Sequence, residues 1–161
     1  MTFAGRWPTM SKSLSAPCHA AAICFRPKRL KAGRKARLVA GTTTVEVKSG
    51  YGLSIEAEKA SLAAIRDASA GHPVRVVRTY LGAHEVPLDR RAGRESYLDE
   101  LVEIAIPEIG RLGLAEFADV FCERGVFTVD ESRRILRTAA TAGLGLRIHA
   151  DEFSDSSGAA L

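Results

Sequence analysis

Leu146-Arg147-Ile148-His149-Ala150-Asp151-Glu152 is the stretch on which the fold turns. A short apolar run, extended back to Leu144, ends abruptly in a histidine and two acids. Imidazole binds divalent ions and a nearby carboxylate moves protons, so this is the equipment of a metal-dependent hydrolase placed at the tip of a buried strand. Three earlier runs end the same way, in Lys48-Ser49-Gly50-Tyr51, in Gly82-Ala83-His84-Glu85 and in Cys122-Glu123. Four such tips at similar spacing imply a shared rim.

Between the tips the apolar period alternates between strand-like and helix-like. Thr42 to Val47 is β-branched and reads as a strand. Ser54 is placed to cap a helix with the stripe Ala57, Leu62, Ala63 and Ile65, which Gly71-His72-Pro73 stops. Val74 to Leu81 reads as the second strand. After a loop with Pro87, a helical region spans about Glu95 to Leu112, and Pro107 is expected to kink or divide it. Phe117 to Phe121 is the third strand. Thr128 caps a last helix with the stripe Ile135, Leu136 and Ala139, ending at Gly143, and Leu144 to Ile148 is the fourth strand.

The order βαβαβαβ predicts a parallel sheet, in which every strand ends on the same side. The four reactive tips then meet along one edge, where open α/β sheets and (β/α)8 barrels both place active sites. A doubly wound sheet normally carries a glycine-rich phosphate loop after its first strand. Gly41, Gly50 and Gly52 do not make one, so a barrel is favoured. A whole barrel takes about 250 residues, and the patterned part supplies four strands and three complete helices. The expected fold is therefore α/β, a partial (β/α)8 TIM barrel.

Charge divides the 161 residues in two. Residues 1–40 hold nine basic side chains, Arg6, Lys12, Arg26, Lys28, Arg29, Lys31, Arg34, Lys35 and Arg37, and no acid; the remainder holds fourteen basic against nineteen acidic residues. The expected boundaries are a basic segment over 1–40 and the barrel portion over 41–161. Three readings of the basic segment stand side by side: a targeting segment, a nucleic-acid arm, or sequence foreign to the ancestral domain. Its second half, Arg29 to Ala40, has the composition for a short helix. No run reaches the ~18 apolar residues of a membrane span, and Cys18, Cys24 and Cys122 fit neither a zinc knuckle nor a disulfide framework, which predicts a cytoplasmic setting with no membrane partner.

The motifs also carry a resemblance. Gly41-Thr-Thr-Thr-Val-Glu-Val-Lys-Ser-Gly-Tyr-Gly-Leu53, Tyr80-Leu-Gly-Ala-His84, Asp119-Val-Phe-Cys-Glu123 and Ile148-His-Ala-Asp-Glu-Phe153 are similar, in order and spacing, to the imidazolonepropionase family of the amidohydrolase superfamily. The likeness covers about three quarters of the chain and none of residues 1 to roughly 30. It implies a metal-dependent (β/α)8 enzyme of histidine degradation that opens 4-imidazolone-5-propanoate to N-formimino-L-glutamate. It further implies one zinc or iron ion held by a His-x-His pair on the first strand, a histidine on the fifth and an aspartate on the eighth.

By position His149 resembles the fifth-strand metal ligand, which makes the strands here the second to fifth of the barrel. Tyr51 resembles a tyrosine that contacts the substrate, and His84 a histidine that hydrogen-bonds it. Glu152 resembles the acid that shuttles a proton from the activated water to the leaving nitrogen. Taken alone, Asp151 and Glu152 are equally a solvated loop or a helix cap; motif register decides for Glu152, while Asp151 is expected to orient the loop. Tyr51, between two glycines, suits either an exposed turn or packing on the barrel rim. Lys48 and Glu46, two apart on one strand, are expected to pair as a structural bridge, and Cys122 is expected to be a buried thiol rather than a nucleophile.

The departures from the family are as informative. The four histidines are His19, His72, His84 and His149, so no His-x-His exists in these 161 residues. The chain is expected to be a truncated member, inactive by itself, that self-associates through exposed sheet edges. The alternative reading is a non-catalytic binding or assembly module whose basic arm meets nucleic acid or an acidic partner, although nucleic acid is not the expected partner.

Overall fold

In the computed structural model the described residues are Val39 and 41–161. The basic segment over 1–40 and its expected helix therefore lie outside the described residues, Val39 excepted. Four strands, β1 (Thr44–Lys48), β2 (Arg75–Ala83), β3 (Phe117–Cys122) and β4 (Gly145–Ala150), form one sheet in the order β1-β2-β3-β4. All three pairings are parallel. Strand neighbours in space are strand neighbours in sequence, as successive β-crossover-β units require.

The crossovers are helices fixed by local chemistry. The first, α1 (Ile55–Ser69), starts where the Ser54 hydroxyl accepts the Ala57 N–H, with Glu56 and Glu58 in the first turn facing the positive end of the helix dipole. The last, α4 (Val129–Thr141), opens with a reciprocal capping box in which Thr128 and Glu131 exchange side-chain and backbone bonds. It stops at Gly143, whose φ of +77° is open to glycine at no cost.

Between β2 and β3 the helical backbone runs through α2 (Arg94–Glu100), a π-type stretch (Leu101–Ala105) and α3 (Ile106–Arg111). The division expected at Pro107 takes the form of this π-type stretch, after which the proline stands in the first turn of α3. Proline lacks an N–H and clashes with the carbonyl four residues back; the wider turn ahead of it, in which the Ile106 N–H reaches Leu101 O, absorbs that conflict and keeps both joints in the right-handed helical region.

All the helices pack on one face of the sheet. Leu62 and Ile65 of α1, Ile106 and Ile109 of α3, and Ile135 and Ala139 of α4 are at most 1% exposed and share one core with Val45, Val76, Tyr80, Ala118 and Val120 from the strands. A doubly wound sheet would bury both faces, so helices on one face alone make this four strands of a (β/α)8 barrel. The expected partial barrel is the observed architecture. On β4 the helix-side residues Leu146 and Ile148 remain 48% and 38% exposed.

The opposite, inner face carries the polar side chains. Register aligns Lys48 with Thr79, Asp119 with Arg147, and Phe121 with His149. β2 contains one irregularity: Tyr80 pairs with Ala118 and Ala83 with Val120, three steps on one strand against two on its neighbour. This β-bulge reverses the inside-outside alternation for the rest of β2. A Cβ on Gly82 within it would overlap the Tyr80 hydroxyl, and the Tyr97 hydroxyl donates to Gly82 O at 2.9 Å. Among the described residues no helix is long and apolar enough to cross a membrane.

Candidate metal and substrate site

The inner face is built in layers. In the lower one, Glu46 accepts from the Thr79 hydroxyl at 2.6 Å and pairs with Arg147 at 3.1 Å, while the Arg147 guanidinium lies over the Phe117 ring at 4.1 Å. The Lys48–Glu46 bridge expected from sequence is thus replaced by partners on other strands. Residues two apart on a strand are separated by ~6.6 Å, whereas adjacent strands are only ~4.8 Å apart, so cross-strand partners are the nearer choice.

In the upper layer Asp119 is the hub. Its carboxylate is fully buried and meets Lys48 Nζ through Oδ2 at 2.6 Å, and His149 Nδ1 through Oδ1 at 2.9 Å. His84 Nε2 lies 3.1 Å from the same Oδ1, within ion-pair range but at an angle that makes no hydrogen bond. Burial by itself would raise the Asp119 carboxyl; the closeness of His84, Lys48 and His149 outweighs it and holds the group ionised well below the usual carboxylate range. His84, Asp119 and His149 together form a group of donor atoms, all within 4.8 Å of one another, that could hold a metal ion.

Rings close the layer. His84 stacks on Phe121 at 5.7 Å between centroids and meets the edge of His149 at 4.9 Å, and Phe153 stands against Phe121 at 6.3 Å. The stacking follows from the bulge in β2, which turns His84 to the face that Phe121 occupies.

Two loops complete the rim. After β1, Leu81 N donates to Ser49 Oγ at 3.0 Å, and Gly52 N donates to the buried Glu58 at 2.8 Å. Between these anchors Tyr51 adopts a left-handed φ of +53° and is 60% exposed, the exposed alternative of its two sequence readings. After β4, Asp151 has a φ of +55° and its carboxylate gathers the backbone N–H groups of Ser156, Gly158 and Ala159 with the Ser156 hydroxyl. Those donors hold the Asp151 carboxyl down at about 2.

Glu123, at the tip of β3, does the same for the start of that loop. It accepts from Phe153 N and Glu152 N at 3.0 Å, from Arg124 N, and from the Ser154 hydroxyl. These bonds, that from Phe153 foremost, hold its carboxyl at about 2, against an ordinary value of 4.5. A depressed carboxylate contributes stability that is complete above its ordinary pKa and is lost as pH falls through the folded value. Glu123→Gln is accordingly expected to flatten the loss of stability between pH 4.5 and 2, read as urea midpoint against pH; an unchanged acid limb would remove Glu123 from this role.

Lys48, Tyr51, Leu81, His84, Phe121, His149, Glu152 and Phe153 line one pocket of about 370 Å³. Every residue singled out from sequence for the site, Tyr51, His84, His149 and Glu152, opens on it. Sequence reading assigned no function to Asp119, Lys48 or Glu123. The available signal was a lone acid inside the apolar run Phe117-Ala-Asp-Val-Phe-Cys122, in phase with Phe121. Cys122 is a free thiol and fully buried, in agreement with the structural reading. A larger cavity, about 590 Å³ beside Val102, Pro107, Arg111 and Arg137, lies on the helix side, away from this chemistry.

No family model matches the chain. It is 58% identical over 122 residues to an imidazolonepropionase of Symbiobacterium thermophilum, a match covering 75% of this chain and 29% of that protein. It is 53% identical over 124 residues to one of Geobacillus thermodenitrificans, covering 77% and 29%, and 49% identical over 121 residues to one of Alkaliphilus metalliredigens, covering 75% and 29%. The chain thus spans about three tenths of the length of the curated relatives it matches. Identity at this level across the segment that builds β1 to β4 and their shared pocket says that this chain belongs, as a partial chain, to the imidazolonepropionase family.

Proposed function

We propose that this portion serves the hydrolytic opening of a cyclic amide C–N bond, with 4-imidazolone-5-propanoate as substrate, N-formimino-L-glutamate as product and the cytoplasm as its setting. The observation that carries the reading is the convergence of Tyr51, His84, His149 and Glu152 on one pocket at the C-terminal strand ends. The names and identities of the relatives supply the reaction.

The donor chemistry fits a resident metal, zinc or iron, at His149, an imidazole that opens on the pocket and is backed by the buried carboxylate of Asp119. When bound, a divalent ion supplies Lewis acidity toward the ring carbonyl and makes water nucleophilic near neutral pH. His149 is the residue that would hold it, with Asp119 fixing the ring through Nδ1 so that the orientation of the imidazole is set before binding. Tyr51 and His84 position the substrate. Glu152, exposed on the pocket rim with its backbone pinned by Glu123, takes the proton of the attacking water and returns it to the ring nitrogen as the C–N bond breaks.

One ligand of the family's four is insufficient for tight binding of a catalytic ion, and these 161 residues contain no His-x-His. The purified chain is therefore expected to open no imidazolonepropionate above the rate of free zinc or iron. Residues 41–161 exchanged into a full-length relative should give an active chimera, which Glu152→Gln slows by roughly 10²- to 10⁴-fold, the usual worth of a general acid–base. A folded, metal-loaded chimera without ring opening would overturn the proposal.

A further inference from the structure

We propose that His84 Nε2, Asp119 Oδ1 and His149 form a three-residue divalent-cation site contained wholly within this chain. The site is that of this chain by itself and stands apart from the family's ligand set, of which these residues include only His149; in it His84, given to the substrate in the ring-opening reading, is a ligand. It needs no residue outside β2, β3, β4 and the ends that carry them, and it does not depend on the ring-opening reading.

Three observations carry it. The donor atoms come from three separate strands onto one point: His149 Nδ1 is 2.9 Å and His84 Nε2 3.1 Å from Asp119 Oδ1, and the whole group lies within 4.8 Å. Tetrahedral ligands with metal bonds of ~2.0–2.2 Å stand about 3.3 Å apart, so the two carboxylate–imidazole pairs would open by only a few tenths of an ångström around an ion, with the two imidazoles drawn together from within 4.8 Å. Next, His84 is 91% buried, and its Nε2 is aimed into the cluster without a hydrogen bond, an arrangement that a bound cation would satisfy. Finally, the two oxygens of Asp119 are divided in labour. Lys48 occupies Oδ2 at 2.6 Å, which anchors the carboxylate and leaves Oδ1 as the monodentate donor.

The donor set defines the ligand class. Two imidazole nitrogens with one carboxylate oxygen suit zinc, cobalt(II) or copper(II) over magnesium or calcium, which prefer all-oxygen sites. Three protein donors facing a pocket of about 370 Å³ leave a coordination position open to solvent or a small molecule.

The test uses the 161-residue chain with Cys18, His19 and Cys24 replaced by Ser, Gln and Ser, so that this segment contributes no ligands. Titration with cobalt(II) should give visible ligand-field bands saturating at one ion per chain and displaced by zinc, with magnesium without effect. His84→Gln, Asp119→Asn and His149→Gln should each weaken cobalt binding at least tenfold while leaving the far-ultraviolet circular dichroism of the parent. Loss confined to His149→Gln, with His84→Gln and Asp119→Asn at parental affinity, would overturn the three-residue site, as would saturation at no ion. Thiolate charge-transfer bands would place the ion on Cys122 and equally overturn it. Ring-opening assays form a separate arm: metal bound without hydrolysis supports this site and leaves the chimera to judge the enzymatic reading.

Discussion

Lys48→Met is expected to destabilise the chain by about 2 kcal/mol, the largest effect of any single change on the inner face. The reason lies in what remains. Asp119 is fully buried and ionised, and removing its cation strands a charge that cannot return to water. Breaking one partner of a buried pair typically costs about 3–5 kcal/mol, and Lys48 being 29% exposed reduces that by solvent screening. Methionine preserves the aliphatic stem and its packing, so the loss reads charge and not volume. In urea the midpoint should fall with an unchanged slope. The double change Lys48→Met with Asp119→Leu should recover much of the loss, because it removes the charge together with its partner. A single mutant at parental stability would mean that the two histidines satisfy Asp119 without the lysine.

The second large effect is on assembly. Among the described residues β1 and β4 are the terminal strands of an open sheet, so there each leaves one side of its backbone without a ladder partner. Leu146 and Ile148 add an exposed apolar strip on the helix side of β4. Edge pairing together with apolar cover is expected to drive the chain into dimers or larger species at micromolar concentration. Leu146→Lys with Ile148→Lys puts two charges on that strip and should shift the distribution strongly toward monomer in sedimentation velocity. A parent chain that stays monodisperse and monomeric across the concentration range would show that the described half-barrel needs no cover.

Much of this structure is written in local sequence because local chemistry produced it. Ser54 and Thr128 are caps in the sequence and caps in the fold, and all four strands begin and end within about two residues of where β-branched and apolar runs place them. The convergence of Tyr51, His84, His149 and Glu152 follows from parallel order alone once the strands are placed. What escaped is non-local. Glu46 and Lys48 chose partners on neighbouring strands, and no pattern within β1 reveals which acid or hydroxyl lies opposite. Asp119 looked like one acid among several until three strands brought Lys48, His84 and His149 to it. Pro107 divides its helical region as the sequence predicts, but the form of the division, a single wide turn with the backbone still helical, was not legible.

The extra residue in β2 has a consequence for how such sites arise and are lost. A strand is a two-phase code, and a bulge lets one residue go unpaired, so that odd and even positions exchange faces downstream while everything upstream is untouched. Here the switch falls between Tyr80, which faces the helices, and His84, which faces the pocket. Deleting Gly82 would remove the extra residue together with the bulge and leave His84 on the pocket face, whereas regular pairing with every residue kept would send His84 toward the apolar core. The pocket's chemistry is thus stored partly in a backbone irregularity, which a one-residue deletion at that place would tolerate and a straightened strand of the same length would not.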